Sequence, residues 1–202
     1  QGAAAPAADP FVFKNLTDGT VINQGVEVAV NYDFVQSDDV TFSSSFNIAY
    51  NKNTVEGLNG LTANFGALNG PGLTDAFAQR LGEGRSLFSF YMAEYSEDSN
   101  GNPDFNPDQK DFVDEDGLPD VNAGLSLNLR VKNWDAAAYF AGQFGFSVYN
   151  NTANAFLNRP TFETTRNATQ RAVDTNISQE VSTLYLEKGD FVRLQNDSIG
   201  YN

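Results

Sequence analysis

The feature that most restricts what this chain can fold into is alternation of apolar and polar side chains at a strict period of two, held over whole segments. In 25–35 (GVEVAVNYDFV), Val26, Val28, Val30, Tyr32 and Phe34 share one face, while Glu27, Ala29, Asn31 and Asp33 take the other. After a short polar turn at 36–39, the pattern resumes in 40–50. There Val40, Phe42, Phe46, Ile48 and Tyr50 oppose Thr41, Ser43, Ser45, Asn47 and Ala49. It returns in 124–131 with Leu125, Leu127, Leu129 and Val131. After the turn at 132–135 it returns again in 136–150, where Ala138, Phe140, Phe144, Phe146 and Val148 oppose Tyr139, Gln143 and Ser147. A third strand-rich region, 181–201, keeps no single parity, which predicts a bulge or a strand buried on both faces. The chain is therefore all-β and antiparallel.

One wet face and one apolar face also describe a soluble sandwich. Three features favour strands that cross a membrane. The periodic segments are as long as the ~9–11 residues of a tilted membrane strand, whereas soluble strands average ~5–6. Their polar faces carry Asn, Ser, Gln and isolated charges, as a watery lumen does. The connections alternate between very short (36–39, 132–135) and very long (52–85, 96–122, 151–180), as in outer-membrane barrels. Tyr32, Phe34, Tyr50 and Trp134 stand near strand ends, where interfacial girdles form. The expected fold is a transmembrane β-barrel wall, present as a partial barrel or curved open sheet with long external loops. The stretch 86–95 is left open: between 40–50 and 124–131 there are either no further spanning strands, or two, the second near 105–113.

Composition narrows the chemistry. Cysteine and histidine are both absent, which removes disulfides, thiolate sites, serine triads and the usual zinc sites. A net charge of −14 disfavours phosphate backbones, so no nucleic-acid partner is expected. No apolar run approaches the ~20 residues of a membrane helix, and strands need none. The chain opens at Gln1, its only methionine is Met92, and no signal-peptide pattern stands at the start, so a piece of a longer protein is expected. Residues 1–9 (QGAAAPAAD) read as a linker, loop or processed edge.

Five segments, in order, resemble the SusC/RagA branch of TonB-dependent receptors. They are NQGVEV (23–28), FNIAYNKNTV (46–55), LGEGRSLFSFY (81–91), NWDAAAYFAGQFGFSVYN (133–150) and EKGDFVRLQNDSIGYN (187–202). The pattern departs from the family at Asp190–Phe191, where Ser-Tyr is usual, and in an acidic run that replaces a glycine-rich loop. The resemblance implies a single segment, 1–202, from the later part of a receptor barrel in the bacterial outer membrane. The plug domain, TonB box and last strands would then lie elsewhere. It also implies import of oligosaccharides or peptides, energised through TonB, with a SusD-like lipoprotein as partner and no enzymatic activity.

By parity, the lumen-facing candidates for substrate contact are Glu27, Asn31, Asp33, Asn128, Arg130 and Gln143. Each is equally accounted for as ordinary lining of a wet interior, and Tyr139 as a sugar-stacking platform or a filler. The acidic run 97–120 holds two calcium-like patterns. Asp114, Asp116 and Asp120 stand in D-x-D-G-L-P-D around Gly117, and Asp98, Asn100, Asn102 and Asp104 surround Gly101. If a metal is held, calcium on Asp114, Asp116 and Asp120 is the expectation. The competing account is a solvated loop whose Asp, Asn, Gly and Pro build turns. Paired carboxylates for glycosidase chemistry have no fixing spacing here. The sequons at Asn15, Asn150, Asn167, Asn176 and Asn196 follow from composition. The alternative function is a secreted β-sandwich that binds carbohydrate or acts as an adhesin. In it, Val26, Val28, Val30, Leu125, Leu127 and Leu129 would be sealed against a second sheet.

Overall fold

The computed structural model describes residues 18–158, 169, 170, 173 and 179–202. The segment 1–9 and the sequons at Asn15, Asn167 and Asn176 lie outside the described residues.

The strands that alternate in sequence form one antiparallel, five-stranded open sheet, in the order β1 (Thr20–Gln36), β2 (Val40–Glu56), β7 (Val121–Val131), β8 (Trp134–Phe144) and β11 (Phe191–Tyr201). Strands β1 and β2 make a hairpin closed by Ser37, whose amide and hydroxyl both donate to the Val40 carbonyl at 2.8 and 2.9 Å. Strand β7 pairs with β2, β8 with β7, and β11 with β8. The β7–β8 turn is tight, with Lys132 in the left-handed region at φ 53°. Its amide bonds to the Asp39 carbonyl at 2.6 Å, so both short turns lie together at one end of the sheet.

Register carries the alternation across the whole sheet. One face stacks rows such as Val30–Phe46–Leu125–Phe140–Leu194 and Val28–Ile48–Ala123–Gly142–Val192. These side chains are open: Val26 is 67% exposed, Val30 52% and Ile199 78%. No second sheet is paired over them among the described residues. Sandwich packing of Val26, Val28 and Val30 is excluded by that exposure.

The buried apolar residues lie elsewhere. Apart from Val55, at the far end of β2, they belong to two excursions on the side opposite the short turns. The first excursion folds as a four-stranded antiparallel sheet, β3 (Ala63–Ala67), β4 (Phe77–Leu81), β5 (Ser89–Ala93) and β6 (Lys110–Asp116). The second carries β9 (Ser147–Tyr149), the short helix α1 (Asn151–Phe156), a 3-10 turn at Thr183–Tyr185 and β10 (Leu186–Lys188), paired to β9. Ala78, Phe90, Met92 and Val181 form the common core of the two excursions.

Several expectations are refined. Because β2 pairs directly with β7, no spanning strand lies between them; 86–95 belongs to the excursion, and so does the strand near 105–113. The run 136–150 is not one strand. Gly145, at φ 77°, turns the chain out of the sheet, and Ser147–Tyr149 joins the excursion instead. The irregular parity of 181–201 has two causes: a break between β10 and β11, and a bulge between Leu194 and Asn196. In β1, a bulge between Asp33 and Val35 takes Phe34 out of register, yet its ring still stacks on Phe42 at 5.0 Å.

Candidate functional site

The polar face is built by the same register that builds the apolar one. Glu27 lies in the row Ala49–Asn122–Gln143, Asn31 in the row Ser45–Ser126–Tyr139–Asn196, and Asp33 in the row Ser43–Asn128–Ala137–Ser198. Arg130 stands between Thr41 and Asp135. Glu27, Asn31, Asp33, Asn128, Arg130 and Gln143 thus share one face, spread over β1, β7 and β8 rather than gathered at a point. Of the six, Gln143 is tied down by donating its side-chain amide to Asn122 Oδ1 at 2.9 Å. Tyr139 lies over Gly124: a Cβ there would stand 3.1 Å from the Tyr139 hydroxyl and 2.9 Å from the Asn47 amide. The glycine leaves a hollow that the ring fills, which supports the filler role.

Above this face, where β1 and β2 outrun β7, the hairpin meets the first excursion. Asn53 holds the junction: its Nδ2 donates to Asn23 Oδ1 at 2.7 Å, and its Oδ1 accepts from the Leu87 amide at 2.7 Å. The Glu83 carboxylate takes the amides of Gly57 and Leu58 at 2.8 and 2.7 Å, closing the turn that follows β2. Between hairpin and excursion lies a cleft of ≈ 410 Å³. Lys52 and Arg85 line it together with Asp114, Asp116 and Asp120.

The three aspartates expected to hold calcium therefore reach one cleft, but they are engaged separately. Asp114 pairs with Arg85 at 2.8 Å, and Asp116 Oδ1 accepts the Leu118 amide at 2.8 Å in an Asx turn. Burial pushes the Asp120 carboxyl up, Asp116 adds to the rise, and Lys52 opposes it. Among the described residues no group of three or more Asp or Glu is close enough to share one ion. The second pattern is a turn closed on itself. Asp98 Oδ1 accepts the amides of Asn100 and Asn102 at 2.8 and 2.9 Å, and Gly101 takes φ 77°. Those bonds, led by the Asn102 amide, hold the Asp98 carboxyl below its usual range.

Glu115 faces the other way and links the two excursions. It receives Lys188 Nζ and, at 2.7 Å, the Ser147 hydroxyl. Burial raises its carboxyl, but these two bonds outweigh burial and the net shift is downward. Sequence reading did not single out Asn53, Glu83, Arg85, Glu115 or Lys188. Four of them sit inside the recognised segments, which was the available signal; their pairings across 25–73 intervening positions are set by tertiary folding.

Comparison with known proteins agrees with this architecture. No family model matches the chain. The TonB-dependent receptor P3 of Formosa agariphila is 27% identical, over 91% of this chain and 22% of that protein. Among solved structures, the RagAB peptide transporter matches with a TM-score of 0.68 at 23% identity, covering 91% of this chain and 23% of that one. The RagAB peptide importer in its open-open state matches with a TM-score of 0.69 at 22% identity, over 91% and 22%. The chain spans about a fifth of the length of the relatives it matches. The resemblance read from the five sequence segments therefore holds: the chain is similar to a TonB-dependent receptor and folds as the matching stretch of the RagAB transporter does.

Proposed function

We propose that this chain forms part of the wall of an outer-membrane importer, driven through TonB and taking up oligosaccharides or peptides with a SusD-like lipoprotein at its outer mouth. The plug and the remaining strands would come from the rest of the receptor. One observation carries the reading: a continuous apolar face, exposed from Val26 to Tyr201, backs a polar face of Asn, Ser and isolated charges. Exposed patches of this kind mark contact with lipid or a partner. Height supports lipid. From Tyr50 to Val40 the apolar rows run ten residues along β2, about 34 Å of strand or roughly 26 Å once tilted by ~40°. That is the ~25 Å apolar band of a membrane barrel. Aromatic rings mark both rims, Tyr50 and Phe144 at one and Phe42, Trp134 and Tyr201 at the other; Trp134 and Tyr201 meet at 5.0 Å.

The absence of cysteine gives a clean test. With one cysteine introduced at Val28 or Leu127, and any cysteines in the rest of the receptor replaced by serine, labelling in intact outer membranes should need a lipid-soluble maleimide. A cysteine at Ser45 or Ser126 should react with a small water-soluble one. Equal aqueous reactivity of all four positions would defeat the wall assignment. For transport, cells lacking the receptor, or lacking TonB, should lose uptake of a labelled peptide or oligosaccharide, and the receptor should copurify with a lipoprotein.

A further inference from the structure

We infer that a hollow in the first excursion, bounded by β5, β6 and Thr183, is a subsite for the cationic side chain of a peptide, lysine or arginine. The hollow has a volume of ≈ 620 Å³. Its floor is Met92, 1% exposed, and Tyr95 and Phe105 line its walls. Tyr95 and Phe105 lie 5.0 Å apart at 58°. Two carboxylates, Glu94 and Asp111, stand among these rings, and no lysine or arginine lines the hollow. Asp111 gives one oxygen to the Phe112 amide at 2.7 Å, which leaves the other free.

The chain itself shows what this combination holds. The Arg85 guanidinium lies 5.1 Å from the centre of the Phe112 ring while its Nη1 pairs with Asp114 at 2.8 Å. Arg80 lies 4.2 Å over Tyr91. A ring face beside a carboxylate takes the Arg85 guanidinium, and a ring beside the Asn64 amide oxygen takes that of Arg80; in the hollow rings and carboxylates stand together without a cation. The amphipathic shape also matches. A lysine or arginine stem can lie against Met92 and the rings while its head reaches Glu94 and Asp111. A neutral glycan could stack on the rings, but it leaves two carboxylates unopposed in a chain of net charge −14.

The inference rests on the importer reading only in placing this excursion in water outside the membrane. Its test uses the full receptor in detergent and three fluorescent probes. These are a pentapeptide with one central arginine, the same peptide with uncharged citrulline in its place, and cellopentaose. The arginine peptide should bind at least tenfold more tightly than the citrulline peptide. That advantage should vanish in Glu94→Gln/Asp111→Asn and persist in Asp108→Asn, an exposed acid outside the hollow. Near-isosteric amide replacements at exposed positions keep the fold, and an unchanged heat-modifiability shift on gels checks this. Equal binding of the two peptides, an advantage that survives the double variant, binding of none of the probes, or cellopentaose binding that the double variant weakens would each overturn the proposal. Failure of the importer reading would look different: uptake would be unchanged when the receptor is deleted.

Discussion

A series of arginine substitutions down one strand gives the sharpest prediction. Val26, Val28 and Val30 sit on the same face of β1, in the rows of Tyr50, Ile48 and Phe46. Each pair of residues advances about 6.8 Å along the strand, or roughly 5 Å in depth at a tilt of ~40°. If Tyr50 marks the rim, Val30 lies about 10 Å below it and close to the midplane of a ~25 Å band. An arginine facing lipid costs roughly 2–4 kcal/mol at the midplane and about 0–1 kcal/mol near the interface. Val26→Arg should therefore be nearly silent, Val28→Arg intermediate, and Val30→Arg should lower the folded-to-unfolded ratio by a factor of roughly 30 to 900. Asn31→Arg, one residue further but on the polar face, should cost less than about 0.5 kcal/mol. Urea titration of the receptor in phosphatidylcholine vesicles, followed by the gel shift of the folded form, reads these differences. A flat series would refute the argument, because a water-exposed valine tolerates arginine at any position. So would equal, large losses at all three positions, which is how a sealed protein core responds.

Four further expectations follow from named contacts. Lys132→Gly relieves a left-handed residue at φ 53° and should stabilise the wall by about 1 kcal/mol, read as a higher urea midpoint; a lower midpoint would mean the side chain matters more than its backbone angle. Glu83→Ala leaves the amide of Leu58, a residue only 3% exposed, without its acceptor and should cost about 1–3 kcal/mol locally, seen as faster hydrogen exchange across 55–60. The Glu115 carboxyl is lowered in the folded chain, so its contribution is fully present above the ordinary carboxylate range and is lost as pH falls through its lower folded value. Once the intrinsic pH dependence of exchange is divided out, protection at 147–149 should thus fall on acidification in wild type and stay constant in that window in Glu115→Gln. Since Asp114 and Asp116 are already engaged by Arg85 and the Leu118 amide, adding calcium or a chelator should leave the melting temperature unchanged; a rise of several degrees that Asp116→Asn abolishes would restore the calcium loop.

What was legible in sequence was whatever a period of two can encode. Faces and the turn at 36–39 follow from Val26–Val30 against Phe46–Tyr50, because a one-residue slip would reverse every side chain. The six polar candidates are found on one face for the same reason. Periodicity is blind to events that change phase or direction. The bulges at Phe34 and Gln195, and the exit at Gly145, each cost only one residue of pattern. The excursion sheet was missed for another reason: its strands are five to seven residues long, and their pairing is non-local. The cleft's Lys52 and Arg85 carry no local signature, since their role comes from where the hairpin and the excursion meet.

The distribution of buried residues explains why one chain holds two such unlike halves. In the excursions, Phe90, Met92 and Val181 pack together away from water, as in any small soluble fold. Among the described residues the five-stranded sheet has no core of this kind, because its apolar side chains are exposed; on the importer reading its stability comes from the ladder and from lipid. A ladder in lipid is only as good as its edges. Among the described residues β1 and β11 are each paired on one side alone, so alternate residues along Val26–Gln36 and along β11 present unpaired N–H and C=O groups. Each such group costs several kcal/mol in hydrocarbon, so on the order of 10 kcal/mol or more stands at either edge until a neighbouring strand pairs with it. The five strands are therefore stable in a bilayer only inside a larger closed ladder, while the excursions can fold in water and brace the outer ends of β2, β7 and β8. On the importer reading proposed above, this division of labour leaves ligand contact to the excursions and the polar face, and the apolar face to the membrane.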